Sequence, residues 1–410
     1  MDKNTSNTNN TKPTGKKKQA IRKRRKRRII TFISFVIFLL LFSFAITLQT
    51  LKYRDIKVTE KNSIKQTSSN NTSSDKDNSS NTNTTKSPNN PPKTTTDIIL
   101  SCAGDCTIGT DDKFSYATSL PAVLHKNKDD YSYFFKNVYD IFSKDDITTV
   151  NLETTFTNAT VKKEKQFNFK ASPEYAKALM LGSIEGVNLS NNHIYDYLNK
   201  GFEDTKTALK DENINFFGEE NIWRTEVKGI GFGFLGYTGW SSDSTFLKKL
   251  KNDITTLKSE NRIVIINFHW GSENAYYPDQ TQQYLAHYSI DNGADLILGH
   301  HPHVMEGIET YKDKVICYSL GNFCFGGNSN PSDKDTFIFQ ADFQFTNKTL
   351  NKYGVRAIPC KISTADNSND YCPTPATGTK KDSILSRINS LSKNLDFKIS
   401  DEFFYKTVNN

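Results

Sequence analysis

From residue 98 onward, short apolar runs alternate with segments whose apolar positions recur at helical spacing. The runs at 98–105, 147–152, 186–190, 229–237, 262–268 and 296–298 read as buried strands, because each is brief and bounded by polar or glycine-containing turns. Between them, 131–142, 173–181, 202–210, 245–259 and 279–291 read as helices. The last of these carries Asp279 and Gln282 at capping-box spacing and Gly293 as a stop. Beyond residue 314 the chain turns strand-rich, at 315–320, 336–345 and 355–361, with one more helix expected over 382–395. Strands alternating with helices in this way predict an α/β sheet sandwich.

The N-terminal part follows a different pattern. Residues 1–28 hold 12 Lys and Arg against one Asp, and residues 29–48 then carry no charge at all. An apolar run of about twenty residues is long enough to span a bilayer core of about 30 Å. The basic block before it predicts a cytoplasmic N-terminus. A secretory signal peptide is the competing reading. The length of the run, and the lack of a small-x-small cleavage site after it, favour an uncleaved anchor. Residues 59–97 are Asn, Ser, Thr and Lys with prolines and no aromatic residue, so they predict a disordered tether. The expected organisation is therefore a basic tail (1–28), a transmembrane anchor (29–49), a linker (50–97), a folded domain (98–365) and a C-terminal extension (366–410). The protein would sit in the cell membrane by a single pass, with its main domain outside the cytoplasm.

Charge sharpens this picture. The whole chain of 410 residues carries +8, but outside the first 28 residues there are 41 basic and 44 acidic groups. The folded part is slightly acidic, which excludes the basic face that a nucleic-acid binder needs. The six cysteines, at 102, 106, 317, 324, 360 and 372, have no zinc-ribbon spacing. They read as small buried hydrophobes, with Cys360 and Cys372 as the best disulfide pair in an oxidising space.

Candidate chemistry collects where the strands end. In order these ends present Asp105, Glu153, Asn192 with His193, His269, and His300-His301-Pro302-His303. Three of the seven histidines thus fall within four residues. Carboxylates, an amide oxygen and imidazoles make a mixed N/O donor set, which suits Mn, Zn, Fe or another borderline divalent ion. Two such ions sharing one carboxylate are a common device for hydrolysing phosphate esters. His125, His287 and Cys106 read instead as ordinary loop, helix or core residues.

The segments GDCTIG (104–109), NLETTF (151–156), LSNNHIYDY (189–197), LGYTGW (235–240), FHWGSE (268–273), DNGADLILGHHPHVMEGIE (291–309) and YSLGNFCF (318–325) resemble the CapA-type capsule-synthesis family. That family is associated with bacterial poly-γ-glutamate synthesis and export, and the likeness covers about residues 98–326. It in turn resembles the calcineurin-like metallophosphoesterases, which implies a four-layer α/β/β/α sandwich. The resemblance implies a first metal held by Asp105 and His303, a bridging Glu153, and a second metal held by Asn192, His269 and His301. It implies a catalytic role for His193 and no fixed role for His300. Two departures stand out. Thr107 occupies the position where such enzymes usually have a histidine, and Glu153 replaces an aspartate. Metal sites of unequal strength are expected from this. Three functions remain open: a metal-dependent hydrolase or transferase in capsule or poly-γ-glutamate assembly, a non-catalytic polymer-handling scaffold, and a general extracellular phosphoesterase. The implied partners are a polyanionic polymer such as poly-γ-glutamate and membrane-bound synthase or export subunits.

Overall fold

The computed structural model describes residues 93–408. The anchor and most of the linker expected from the sequence lie outside the described residues. Among the described residues, no helix is long and apolar enough to cross a membrane.

Two sheets dominate. The nine-stranded sheet is built around β1 (Thr95–Thr107), with β2 (Ile147–Leu152) and β3 (Gly186–Asn188) following in parallel on one side. The six-stranded sheet has β4 (Ile230–Thr238), β5 (Ile263–His269) and β6 (Leu296–His300) as parallel neighbours. A short strand, β7 (Asn322–Phe325), returns to pair parallel with the end of β1. The antiparallel strands β8 (Asp335–Thr346) and β9 (Thr349–Lys361) then extend the first sheet on the other side of β1.

Side-chain alternation explains the layering, because successive residues of a strand face opposite sides. On β5, Ile263 and Ile265 join an apolar core shared with Ile98 and Leu100 of β1 and with Phe337 and Phe339 of β8. Val264, Ile266 and Phe268 face the other way, onto Leu250, Ile254 and Leu257 of α2 (Ser244–Ser259) and Leu285 of α3 (Gln280–Asp291). The outer face of the first sheet, with Val150, Leu152 and Val187, packs on Phe202, Ala208 and Leu209 of α1 (Leu198–Asp211). Helices therefore cover both sheets, and the sheets meet each other across the central core. The capping box of α3 forms as the sequence predicts, with Asp279 and Gln282 bonding each other's backbone.

Two expectations are changed, and the cysteines follow their reading as buried hydrophobes rather than the alternative disulfide. Residues 131–142 do not form one helix, but a 3-10 turn at Tyr131–Phe134 and a separate turn of helix at Tyr139–Phe142. Phe134, Phe135, Val138 and Phe142 are all buried there, a pattern that fits the core without requiring a continuous helix. No disulfide links Cys360 and Cys372, and all six cysteines are free and buried. Residues 366–408 are woven into the domain rather than appended to it. Thr374–Pro375 and Phe404–Thr407 both pair with β9, and Ile384 and Ile388 of α4 (Gly378–Leu391) enter the inter-sheet core.

Candidate metal centre

The site lies between the sheets, where the parallel strands end. Alternation alone carries several side chains there. Ile263, Ile265, Asn267 and His269 share the inner face of β5, and Leu296, Leu298 and His300 share that of β6. On β2, Val150 and Leu152 face outward, so Asn151 and then Glu153 face inward.

Asp105 needs an irregularity to join them. Cys102 packs in the inter-sheet core, yet Cys106, four residues on, packs on the opposite face. The cause is a β-bulge: Cys102 pairs with Thr149 and Asp105 with Asn151, so β1 spends one residue more than β2 over that interval. Bulges re-aim side chains in this way, and here the bulge turns Asp105 toward the histidines. Backbone contact tightens the same corner. A side chain at Gly104 would place its Cβ 1.9 Å from the Gly321 carbonyl oxygen, and one at Gly299 would lie 1.8 Å from that of Tyr318. Only glycine allows these approaches.

The His300–His303 segment is held in an unusual turn. His301 has φ 97° and His303 φ 58°, both in the left-handed region that β-carbon-bearing residues avoid. The Asp105 carboxylate accepts the His301 backbone N–H at 3.2 Å, and the Pro302 carbonyl accepts from Asn274 at 2.8 Å. These bonds hold the conformation that directs both rings into the site.

The resulting cluster is dense. Asp105 Oδ2 lies 3.3 Å from His303 Nδ1, and Asp105 Oδ1 lies 3.5 Å from His300 Nδ1. Glu153 Oε1 is 3.6 Å from His269 Nε2, and Glu153 Oε2 is 4.0 Å from His303 Nδ1. Asn192 Oδ1 meets His269 Nε2 at 2.9 Å. Among the described residues, three groups of side chains could hold a metal ion: Glu153 with His269 and His301; Asp105 with Glu153 and His303; and Glu273 with His301 and His303. The six residues proposed from the sequence as ligands, Asp105, Glu153, Asn192, His269, His301 and His303, are thus brought together.

Electrostatics fit a cation. Burial alone would raise Asp105, but the His300 and His303 imidazoles close beside it hold its carboxyl well below the usual range. Burial, with Asp105 and Glu273 alongside, holds Glu153 well above it, although His303 opposes this. Burial disfavours the charged ring of His303, yet Glu153 and Asp105 outweigh it and push this histidine up to about 9. Burial and the neighbouring His303 push His301 down to about 4. Burial, reinforced by His301, also holds His269 well below its ordinary value. Both oxygens of Glu153, Nδ1 of His300 and His301, and Thr107 Oγ1 are buried without a hydrogen-bond partner. Buried polar atoms are normally paired, and this set of oxygen and imidazole nitrogen atoms suits a divalent ion.

Sequence reasoning missed several residues here. Asn151 is central: its Nδ2 donates to Asp105 Oδ1 at 2.8 Å and faces His269 Nδ1 at 3.3 Å, while its Oδ1 accepts from Asn188 at 3.0 Å. Its inward position one turn of alternation before Glu153 was the available signal. Glu273 stands in the FHWGSE segment but was not singled out. His300, assigned no role, lies against Asp105 and meets Asn267 at 3.0 Å. His193 pairs through Nδ1 with Asp196 at 2.7 Å, and Lys165 holds the other Asp196 oxygen at 2.6 Å. Burial lowers His193 while Asp196 opposes the shift. Elsewhere, His125 is exposed beside Asp129, and His287 pairs with Glu309 at 3.0 Å.

Two helix-covered sheets with carboxylates and imidazoles gathered at their strand ends define an α/β protein with a candidate metal centre. Residues 99–327 match the family described as bacterial capsule synthesis protein PGA_cap, and the chain belongs to that family. It is 33% identical over 213 residues to the PGA biosynthesis protein CapA of Bacillus subtilis (strain 168), covering 47% of this chain and 56% of that protein. It is 33% identical over 187 residues to the capsule biosynthesis protein CapA of Bacillus anthracis, covering 40% of this chain and 46% of that one. The chain thus spans about half the length of these curated relatives. Among solved structures, a purple acid phosphatase from yellow lupin is similar over 69% of this chain and 57% of its own, at 8% identity and a TM-score of 0.34. That level of likeness carries no weight for fold or function.

Proposed function

We propose that this protein is a membrane-anchored, extracytoplasmic component of capsule or poly-γ-glutamate assembly, and that its strand-end cluster is a metal-dependent site acting on a phosphorylated intermediate. Family membership supports the biological setting. The apolar run at 29–48 supports the anchor. The observation that carries the chemistry is Glu153, whose two buried oxygens have no hydrogen-bond partner and face the imidazoles of His269 and His303. The placement of such ligands at the strand ends of two helix-covered sheets is what a calcineurin-like metallophosphoesterase would use.

Asp105, Glu153, Asn192, His269, His301 and His303 would hold one or two divalent ions of the Mn, Zn or Fe type. A bound ion there supplies Lewis-acid activation of a phosphoryl group. His193 has its Nδ1 engaged by Asp196, which would leave Nε2 free to take up a proton and then, as the imidazolium, pass it to a leaving oxygen. The acidic polymer and the membrane synthase or export subunits are the partners we propose for the assembly as a whole.

A second reading, metal-assisted gripping of an anionic group without cleavage, is favoured by Thr107, whose buried hydroxyl stands unpartnered where an imidazole would complete the first site. One experiment separates the two. Metal content and phosphodiester hydrolysis are measured for the protein and for His301→Ala. Metal and hydrolysis lost together support the enzyme, metal without hydrolysis supports the grip, and no metal uptake by either protein overturns both.

A further inference from the structure

The ligand cluster opens into a cavity of about 700 Å³ that reaches His193 and His303 at one end. Small-molecule sites span roughly 300–1,000 Å³, so there is room for a short oligomer beside the reacting group. Its wall is unusually aromatic. Phe167 and Phe169 stack with centroids 6.3 Å apart and planes 5° from parallel, and Phe114 lies 5.6 Å from Phe167. Phe325 faces His303 at 4.9 Å. Phe167 is 38% exposed, a high value for a ring of this size. Between and beyond the rings stand the amides and hydroxyls of Asn274, Asn328, Ser329 and Ser332.

Charge decides which ligand fits. Apart from the histidines, the charged side chains on this wall are Lys113, Glu273 and Asp333. The Lys113 ammonium is already accepted by the Gln166 carbonyl at 2.6 Å, and Asp333 is paired with Arg387. A polymer bearing one carboxylate per unit would meet a single ammonium, that of Lys113, along this wall and would lie beside the carboxylates of Glu273 and Asp333. A sugar chain meets both of its needs. Its C–H faces pack against the electron-rich faces of the rings, and its hydroxyls bond the amides and serines. Such a pocket is apolar and aromatic with a few placed polar groups.

We propose that this cleft binds a neutral saccharide segment, so that the group presented to the metal centre is a phosphoester carried on a glycan rather than on the acidic polymer. The catalytic half of this statement rests on the function proposed above, whereas saccharide binding does not. The test uses the purified full chain with EDTA present, titrated calorimetrically with an N-acetylglucosamine tetramer, a glucose tetramer and a γ-glutamate decamer. At least one tetrasaccharide should bind and the decamer should not. Phe167→Ala and Phe114→Ala should each weaken saccharide binding tenfold or more while leaving the circular-dichroism spectrum unchanged. Absence of binding by both sugars, binding unchanged in both variants, or tighter binding of the decamer would overturn the proposal. Phosphodiester hydrolysis by the same preparation with Mn²⁺ is read separately. Its failure would sink the metal-enzyme reading and leave the saccharide result standing.

Discussion

His303 Nδ1 and Asp105 Oδ2 lie 3.3 Å apart, between a strand of one sheet and a loop that follows a strand of the other. Asp105 is fully buried and His303 is 17% exposed. Their mutual attraction therefore acts at low dielectric and is strong. The same two groups, with Glu153, form one of the sets able to hold a metal ion.

Asp105→Asn removes a negative charge from that set and leaves one oxygen in place of the two that now accept from the His301 backbone N–H and from Asn151 Nδ2. Affinity for Mn²⁺ should fall at least about 100-fold, beyond the 10–100-fold typical of losing an outer-shell partner. Metal titration followed by calorimetry reads this directly. Unchanged affinity would remove Asp105 from the ligand set.

Glu153→Gln should separate stability from metal binding. The carboxylate is buried with neither oxygen hydrogen-bonded, so its neutral isostere relieves a desolvation cost. With EDTA present, the variant should melt at or above the temperature of the unaltered protein. Added Mn²⁺ or Zn²⁺ should stabilise the unaltered protein and not the variant, because only binding to the folded state raises stability. A variant that is less stable in EDTA and still stabilised by metal would contradict this.

Asp196 is a positioning residue for His193, with Oδ2 on the ring and Oδ1 on Lys165. On the proposed function, Asp196→Asn should lower kcat about 100-fold, within the ~10²–10⁴ contributed by general acid–base groups. KM should change little, and the pH–rate profile should shift because the ring loses its anionic partner. A stable variant with an unchanged profile would place Asp196 in a purely structural role.

Glu306 gives the pH dependence of stability. Burial pushes it up to about 8, with Gln282 opposing and Asp279 adding to the rise. The folded state thus binds a proton that the unfolded chain releases near pH ~4.3. Its contribution is full below that value and is lost as pH rises toward about 8. Glu306→Gln keeps an acceptor for the Gln282 amide, which now bonds the carboxylate at 2.8 Å. The variant should be nearly neutral at pH 4 and more stable than the unaltered protein at pH 9, by a few kcal/mol at most, on the order of 1.4 kcal/mol per pH unit. Thermal melts at the two pH values check it, and a gain that does not grow with pH would refute it.

Much of the site was legible because its residues end apolar strands. His269 follows a run of alternating inward and outward side chains, and the His300–His303 segment follows another. Asn151 was harder to see. It looks like any polar residue within a strand, and it matters only because β1 lies beside it in a particular register. Glu273 is a similar case, since it meets His301 and His303 only through folding, whereas Asp196 lies three residues from His193 and was within reach of the sequence. The single helix expected over 131–142 failed for a related reason: its apolar residues are all buried, but two short turns bury them as well as one helix would.

By itself, then, the sequence determined the alternating strands and helices, the capped helix after Asp279, the uncharged run at 29–48 and the positions from which ligands could project. Those are local properties, set by side-chain period, backbone preference and charge within a few residues. The tertiary structure decided the remainder. A bulge after Cys102 turns Asp105 inward, left-handed backbone at His301 and His303 aims two imidazoles, and the meeting of two sheets makes one cluster of them all. Each of these depends on pairing register between segments far apart in the chain, which no local pattern encodes.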